Sequence, residues 1–293
     1  MKKDITLYQD NVITRSASNM TELERNILYM VISEINEKAS TYFISAAEIM
    51  QRTGKEIDFT SFKQATKLLV NRYFEVVLPN GNFLQGTFVA AAEYHKGKGM
   101  IEIEIAKLVK PFYINLKEKF TSYQLDAAMS LSGKYAKRLY EILSMYKNFP
   151  NPSVTIELPE LKRMLSVIDE NGKDSYAKFT HFKIRILEQS AVEINKKTDI
   201  KFDWKEIYGK SLGKGRKPVV AVAFTIEKAE TQKDLYPNLF QRLIQEFKLT
   251  EKQAKMVLKS YSVGDINKKL YDISLSKTQI ANMGAYVAKS FNV

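Results

Sequence analysis

The chain has 293 residues, 45% of them hydrophobic, enough for two ordinary domains and a small third. It contains no cysteine, which excludes disulfides, thiolate nucleophiles and cysteine-based zinc sites and fits a reducing, cytoplasmic setting. The formal net charge of +12 points to polyanions, nucleic acid before anionic membrane, and no run of about eighteen apolar residues is present to span a bilayer.

The opening "MKKDITLYQD" has two lysines with no apolar stretch behind them, so no signal peptide is expected there. Thr21-Glu22-Leu23-Glu24 is a capping box, in which the Thr21 hydroxyl serves the N3 amide and Glu24 reaches back. Leu23, Ile27, Val31 and Ile35 follow at helical steps and predict a buried stripe. After a short "TYFI" strand, Ser45-Ala46-Ala47-Glu48 reads as a second capping box, opening a brief helix that stops near Gly54. A third helix is predicted from about Thr60 to Asn71. Phe62, Ala65 and Leu69 face inward on it, and Ser61, Lys63, Gln64 and Lys67 face out. Turn signals at Pro79-Asn80-Gly81 and Gly97-Lys98-Gly99 then separate strand-like runs, of which Ile101, Ile103 and Ile105 alternate strictly. Helix, strand, helix, helix and hairpin make a winged helix.

The second half repeats that order. Tyr135, Leu139, Ile142 and Tyr146 mark a long helix, "SVTIEL" a strand, and "PELKRML" a helix with Pro159 at its start. The third helix runs from about Ser175 to Asn195. Ile200, Phe202 and Trp204 alternate, "VVAVAFTIE" returns, and the glycine-rich "YGKSLGKGRKP" lies between them. The link near 113–120 is short, so the halves are expected to pack together. The reading is therefore an α+β chain with a first winged-helix domain at 1–120, a second at 121–230, and a small helical module at 238–293. The last module has helix-starting Thr250 and Ser276, and Leu239, Leu243, Ile244 and Phe247 form an apolar face that reads as core. Charge is uneven: 16 basic against 14 acidic residues over 1–120, 19 against 14 over 121–230, and 10 against 5 over 231–293.

These residues resemble a known family. "NVITRSASNMTELERNILYMVI", "SGKYAKRLYEILSMYK", "ELPELKRML" and above all "FKIRILEQSAVEINKKTDI" are similar to the iteron-binding plasmid replication initiators, which are tandem winged-helix proteins. The similarity covers about residues 10–228, and the last segment resembles helical tails on some initiators from Gram-positive bacteria. The resemblance implies binding to double-stranded DNA at direct repeats, or iterons, of a plasmid origin. It implies opening of a neighbouring AT-rich segment, recruitment of host helicase machinery, and monomer and dimer forms. The dimer, formed through the first domain, would repress its own gene at an inverted repeat. No cofactor is implied.

On the third helix of the second half, Phe179, Phe182, Ile186 and Leu187 are expected in the core. Lys178, His181 and Arg185 lie opposite, with Thr180 and Lys183 flanking. Polar and basic groups in the first turns suit a helix whose start meets base edges. Arg185 is the candidate for bidentate guanine contact; Lys178 and Lys183 are candidates for phosphates, and His181 for either. In the first half Ser61, Lys63, Gln64 and Lys67 take the equivalent place, with Gln64 able to pair with adenine. The wings carry Lys96 and Lys98, and Lys210, Lys214, Arg216 and Lys217, as phosphate contacts. For any one of these lysines the plain alternative is a solvated helix face.

Catalytic readings find little. A rolling-circle nickase uses paired metal-binding histidines beside a nucleophilic tyrosine, and the two histidines, His95 and His181, are far apart. Glu102 and Glu104 of "IEIEI" read as the wet face of a hairpin rather than as metal ligands. "GKSLGKGRKP" misses the phosphate-loop spacing, because Gly209 and Gly213 are separated by three residues and Gly215 is followed by Arg216. The chain is read as a binding protein without enzymatic activity and without a metal. A tandem winged-helix repressor is the alternative, since both need only DNA contacts.

Overall fold

The computed structural model describes residues 5–78, 80–95, 99–169, 171–210, 217–229 and 237–261, the single residues Ile266, Lys269, Leu270 and Ile273, and residues 282–293. The chain divides into two compact units, Ile5–Lys228 and a C-terminal one from Ala229 to Val293.

In the larger unit the same order of elements occurs twice. The first pass is β1 (Thr6–Asp10), α1 (Asn11–Arg15), α2 (Glu22–Glu34), β2 (Thr41–Ser45), α3 (Ala46–Thr53), α4 (Phe59–Val70), β3 (Tyr73–Val77), β4 (Phe83–Thr87), β5 (Val89–His95) and β6 (Met100–Ile105). The second is β7 (Phe120–Gln124), α5 (Leu125–Ser130), α6 (Lys134–Ser144), β8 (Ser153–Glu157) and α7 (Leu158–Met164). Then come α8 (Phe179–Phe182), a π-helical stretch Lys183–Glu188 and α9 (Gln189–Lys197), which form one continuous rod, and finally β9 (Ile200–Tyr208) and β10 (Val219–Lys228).

Each pass closes a three-stranded antiparallel sheet of the same order, β2-β6-β5 and β8-β10-β9, so the strand after the first long helix pairs with the returning arm of the wing. The first pass also carries a separate ribbon, β3 with β4, where the sequence pattern indicates one hairpin in all. The strands that open each pass, β1 and β7, pair with each other, from Thr6 opposite Gln124 to Asp10 opposite Phe120.

Local chemistry accounts for the helix ends. Thr21 and Glu24 form the complete capping box. At Ser45 only half of the expected box is made: its hydroxyl accepts from the Glu48 amide, while the Glu48 carboxylate binds Arg52. Gly54 ends α3 at φ +68°, a conformation that costs glycine nothing. Asp58 caps α4 by accepting from the Ser61 amide.

The core is continuous through both passes. Helix α2 is buried not along a stripe but over its whole middle, Glu24 to Ile32, because α4, β2, α5 and β1 surround it. The same holds for α6, which buries Lys137, Arg138 and Glu141 along with Leu139, Tyr140 and Ile142. Buried charge of that kind persists only when paired or hydrogen-bonded.

The C-terminal unit has its own core. Helices α10 (Pro237–Gln245), α11 (Glu251–Ser260) and α12 (Met283–Ser290) gather Leu239, Leu243, Phe247, Val257 and Val287, together with Ile266 and Leu270. Thr250 opens α11 with a capping box completed by Gln253. Ser276 lies outside the described residues. At Gly284 a Cβ would stand 2.4 Å from the Lys248 carbonyl oxygen, so only glycine allows the two backbones to approach.

Candidate nucleic-acid interface

The rod 179–197 sits where a winged helix places its third helix. It begins at Phe179, four residues later than the spacing suggests, because the preceding chain is tied down elsewhere. The Lys162 ammonium donates to Asp174 at 2.5 Å and to the Tyr176 carbonyl at 2.9 Å, and the Tyr176 ring meets Phe182 edge-on. Lys178 therefore stands at the N-cap rather than within the helix. Phe182, Ile186 and Leu187 are buried, as expected, Ile194 is buried with them, and Phe179 is half-buried. Thr180, His181 and Arg185 are exposed, and among the described residues no carboxylate pairs with Lys178, His181 or Arg185.

Lys183 has a different environment from its neighbours. Its ammonium donates to Glu206 on β9 at 3.0 Å and lies 5.3 Å from the centre of the Trp204 ring. The hydrogen bond to Glu206 raises its pKa above the ordinary lysine value. The Tyr208 hydroxyl donates to the other Glu206 oxygen. Lys183 is thus drawn toward the wing, and Glu206 places a carboxylate on the same groove. The sequence carries a signal for this cluster: Phe202, Trp204, Glu206 and Tyr208 alternate and must share a strand face. On the wing, Lys210 and Lys217 are exposed; Lys214 and Arg216 lie outside the described residues.

In the first pass, α4 presents Ser61, Lys63, Gln64 and Lys67 to solvent and buries Phe62, Ala65 and Leu69. The Ser61 hydroxyl donates to Asp58 at 2.7 Å, so its proton is committed to the cap. The wing residues Lys96 and Lys98 lie outside the described residues. His95, at the edge of that wing, pairs with Glu102 across the hairpin at 3.1 Å and packs edge-on against Phe43. Glu104 is exposed. Both third helices carry a third kind of residue that periodicity did not single out, an exposed hydrophobe: Phe59 at the first position of α4 and Ile184 beside Arg185.

Two winged helices within one compact unit, each showing a polar face on its third helix, define the class of tandem winged-helix proteins. The chain belongs to the initiator replication protein family: residues 6–144 match the family's first winged-helix model, "Initiator Replication protein, WH1", and residues 157–226 its second, "Initiator Rep protein, WH2". It is similar to the PI protein of Escherichia coli, at 31% identity over 118 residues, which are 37% of this chain and 39% of that protein's length. A crystal structure of Pi initiator protein in complex with iteron DNA shares the fold, with a TM-score of 0.66 at 20% identity, over 78% of this chain and 100% of that one.

Proposed function

We propose that this chain is a plasmid replication initiator that binds direct repeats at its origin, promotes opening of the origin and recruits host replication proteins. As a dimer it represses its own gene at an inverted repeat. Winged domain 121–230 supplies the main reading helix, 1–120 supplies dimerisation and a second DNA contact, and 238–293 is a helical appendage. The work is done on plasmid DNA in the bacterial cytoplasm and calls for binding, not catalysis.

The observation that carries this reading is the outer face of the rod 179–197 and its N-cap, where Lys178, Thr180, His181 and Arg185 are exposed while the opposite side of the rod is core. A helix with polar and basic groups in its first turns can bond base edges in a major groove, and flanking lysines neutralise phosphate. Family membership and the net charge of +12 support it.

Footprinting on DNA flanking the gene tests the proposal. Tandem repeats of about twenty base pairs should be protected on one face, at grooves roughly one helical turn apart. A plasmid carrying those repeats should fail to replicate without the protein. Replication that continues unaided leaves a repressor.

A further inference from the structure

An isolated hydrophobe on a protein surface ordinarily needs no explanation. Ile184 stands in a more particular place. It is 46% exposed and lies on the outer side of the rod, one turn after Thr180 and next to Arg185. The residue before it, Lys183, is drawn to Glu206 and Trp204. Ile184 also lines the groove between the rod and the wing, as do Lys183, Glu206 and Tyr208. The first pass presents a counterpart: Phe59, 66% exposed at the start of α4, held edge-on by Tyr94.

A branched hydrocarbon has nothing to offer a phosphate. The major-groove edges of adenine, guanine and cytosine present donors and acceptors and no methyl group, whereas thymine presents a C5-methyl group. Docking the rod would strip water from Ile184, and a methyl group is the one base-edge feature that makes that burial favourable. We infer that Ile184 is a specificity-determining residue that reads a thymine methyl in the major groove, next to the base contacted by Arg185. The inference rests on the DNA-binding reading above and adds to it a base and an atom.

The test separates the two. Duplexes are selected from a random pool with the full chain, and each thymine of the preferred duplex is replaced in turn by deoxyuridine, which pairs identically and lacks only the methyl. The wild-type protein should lose affinity about three- to tenfold at one position. Ile184→Ala should be indifferent to the methyl at that position while still preferring the selected duplex to a scrambled one. Val192→Ala, altered at another exposed aliphatic residue two turns further along, should keep the wild-type penalty. The inference is overturned if wild type ignores every methyl, or if Ile184→Ala pays the same penalty as wild type. If the wild-type protein selects no duplex at all, the DNA-binding reading falls first and takes the inference with it.

Discussion

The carboxylate of Glu141 on α6 accepts two hydrogen bonds from the Arg25 guanidinium on α2, at 2.8 and 3.1 Å, and both side chains are almost wholly out of water. The first long helix of one winged domain is thereby joined to the first long helix of the other. Arg138 adds a second guanidinium at 2.7 Å, and the Tyr29 hydroxyl donates at 2.6 Å. Arg138 also donates to the carbonyls of Thr14, Ser16 and Met164.

Removing the shared acceptor should be costly. Glu141→Ala leaves two guanidinium groups buried beside each other, and a loss of about 3–5 kcal/mol is expected from urea unfolding. Burial pushes the Glu141 carboxyl up, but the two arginines and the tyrosine overrule it and hold it below its ordinary value of 4.5. Its contribution is therefore complete above about pH 4.5 and is lost as pH falls through the lower folded value. Glu141→Gln should flatten the acid limb of the stability profile; an unchanged limb would show that other groups carry it.

Lys137 makes the opposite prediction. Among the described residues its ammonium donates to the Ala128 carbonyl alone, at 2.6 Å, and it sits 5.6 Å from the centre of the Tyr29 ring. Burial lowers its pKa from 10.5 to about 7, against the weaker upward pull of Glu22, Glu193 and Glu141. The unfolded chain keeps this proton up to about 10.5 and the folded chain releases it near 7. Between those values the unfolded state binds more protons, so stability rises with pH. A gain of about 2 kcal/mol between pH 7 and pH 9 is expected from wild type. Lys137→Met should abolish the gain, as seen by urea unfolding at the two pH values.

Arg185→Ala should lower affinity for the cognate repeat by about 1–3 kcal/mol and leave scrambled duplex nearly untouched, because it removes a base contact rather than a phosphate contact. Parallel titrations on the two duplexes measure it. Equal losses on both would remove Arg185 from base reading.

Glu206 should act against the DNA backbone. Neutralisation of about eight phosphates gives a log–log salt slope near −7 for wild type. Glu206→Gln releases Lys183 and deletes a negative charge from the groove, so the slope should steepen by about one. Fluorescence anisotropy over a salt series reads this directly, and an identical slope would show that Lys183 is already engaged with phosphate in the complex.

Much of this architecture was visible in one dimension. The capping residues Thr21 and Thr250, the Gly54 stop, and the inward Phe62, Ala65 and Leu69 are local features, set by residues within a few positions of each other. The unseen parts are the distant ones. "TLYQD" is too short to show a period, and its partner strand begins at Phe120. Arg25 and Glu141 occupy positions that a helical wheel assigns to solvent, Arg138 borders the apolar stripe of α6, and only the packing of α2 and α6 reveals them as buried partners. At the interface the exposed side of the rod was legible from 3.6-residue spacing. Its onset at Phe179 and the capture of Lys183 were not, because Asp174 and Glu206 act through space.

Synthesis meets the pairing of β1 with β7 in a definite order. Thr14 and Thr121, whose hydroxyls lie 2.8 Å apart beside that ribbon, are 107 positions apart. Strand β1 leaves the ribosome with half a ladder and must wait, its edge open, until β7 emerges. A fragment ending before Phe120 keeps that edge bare for good, and a bare edge pairs with whatever strand it meets. Shortened forms of this protein should therefore self-associate more readily than the intact chain.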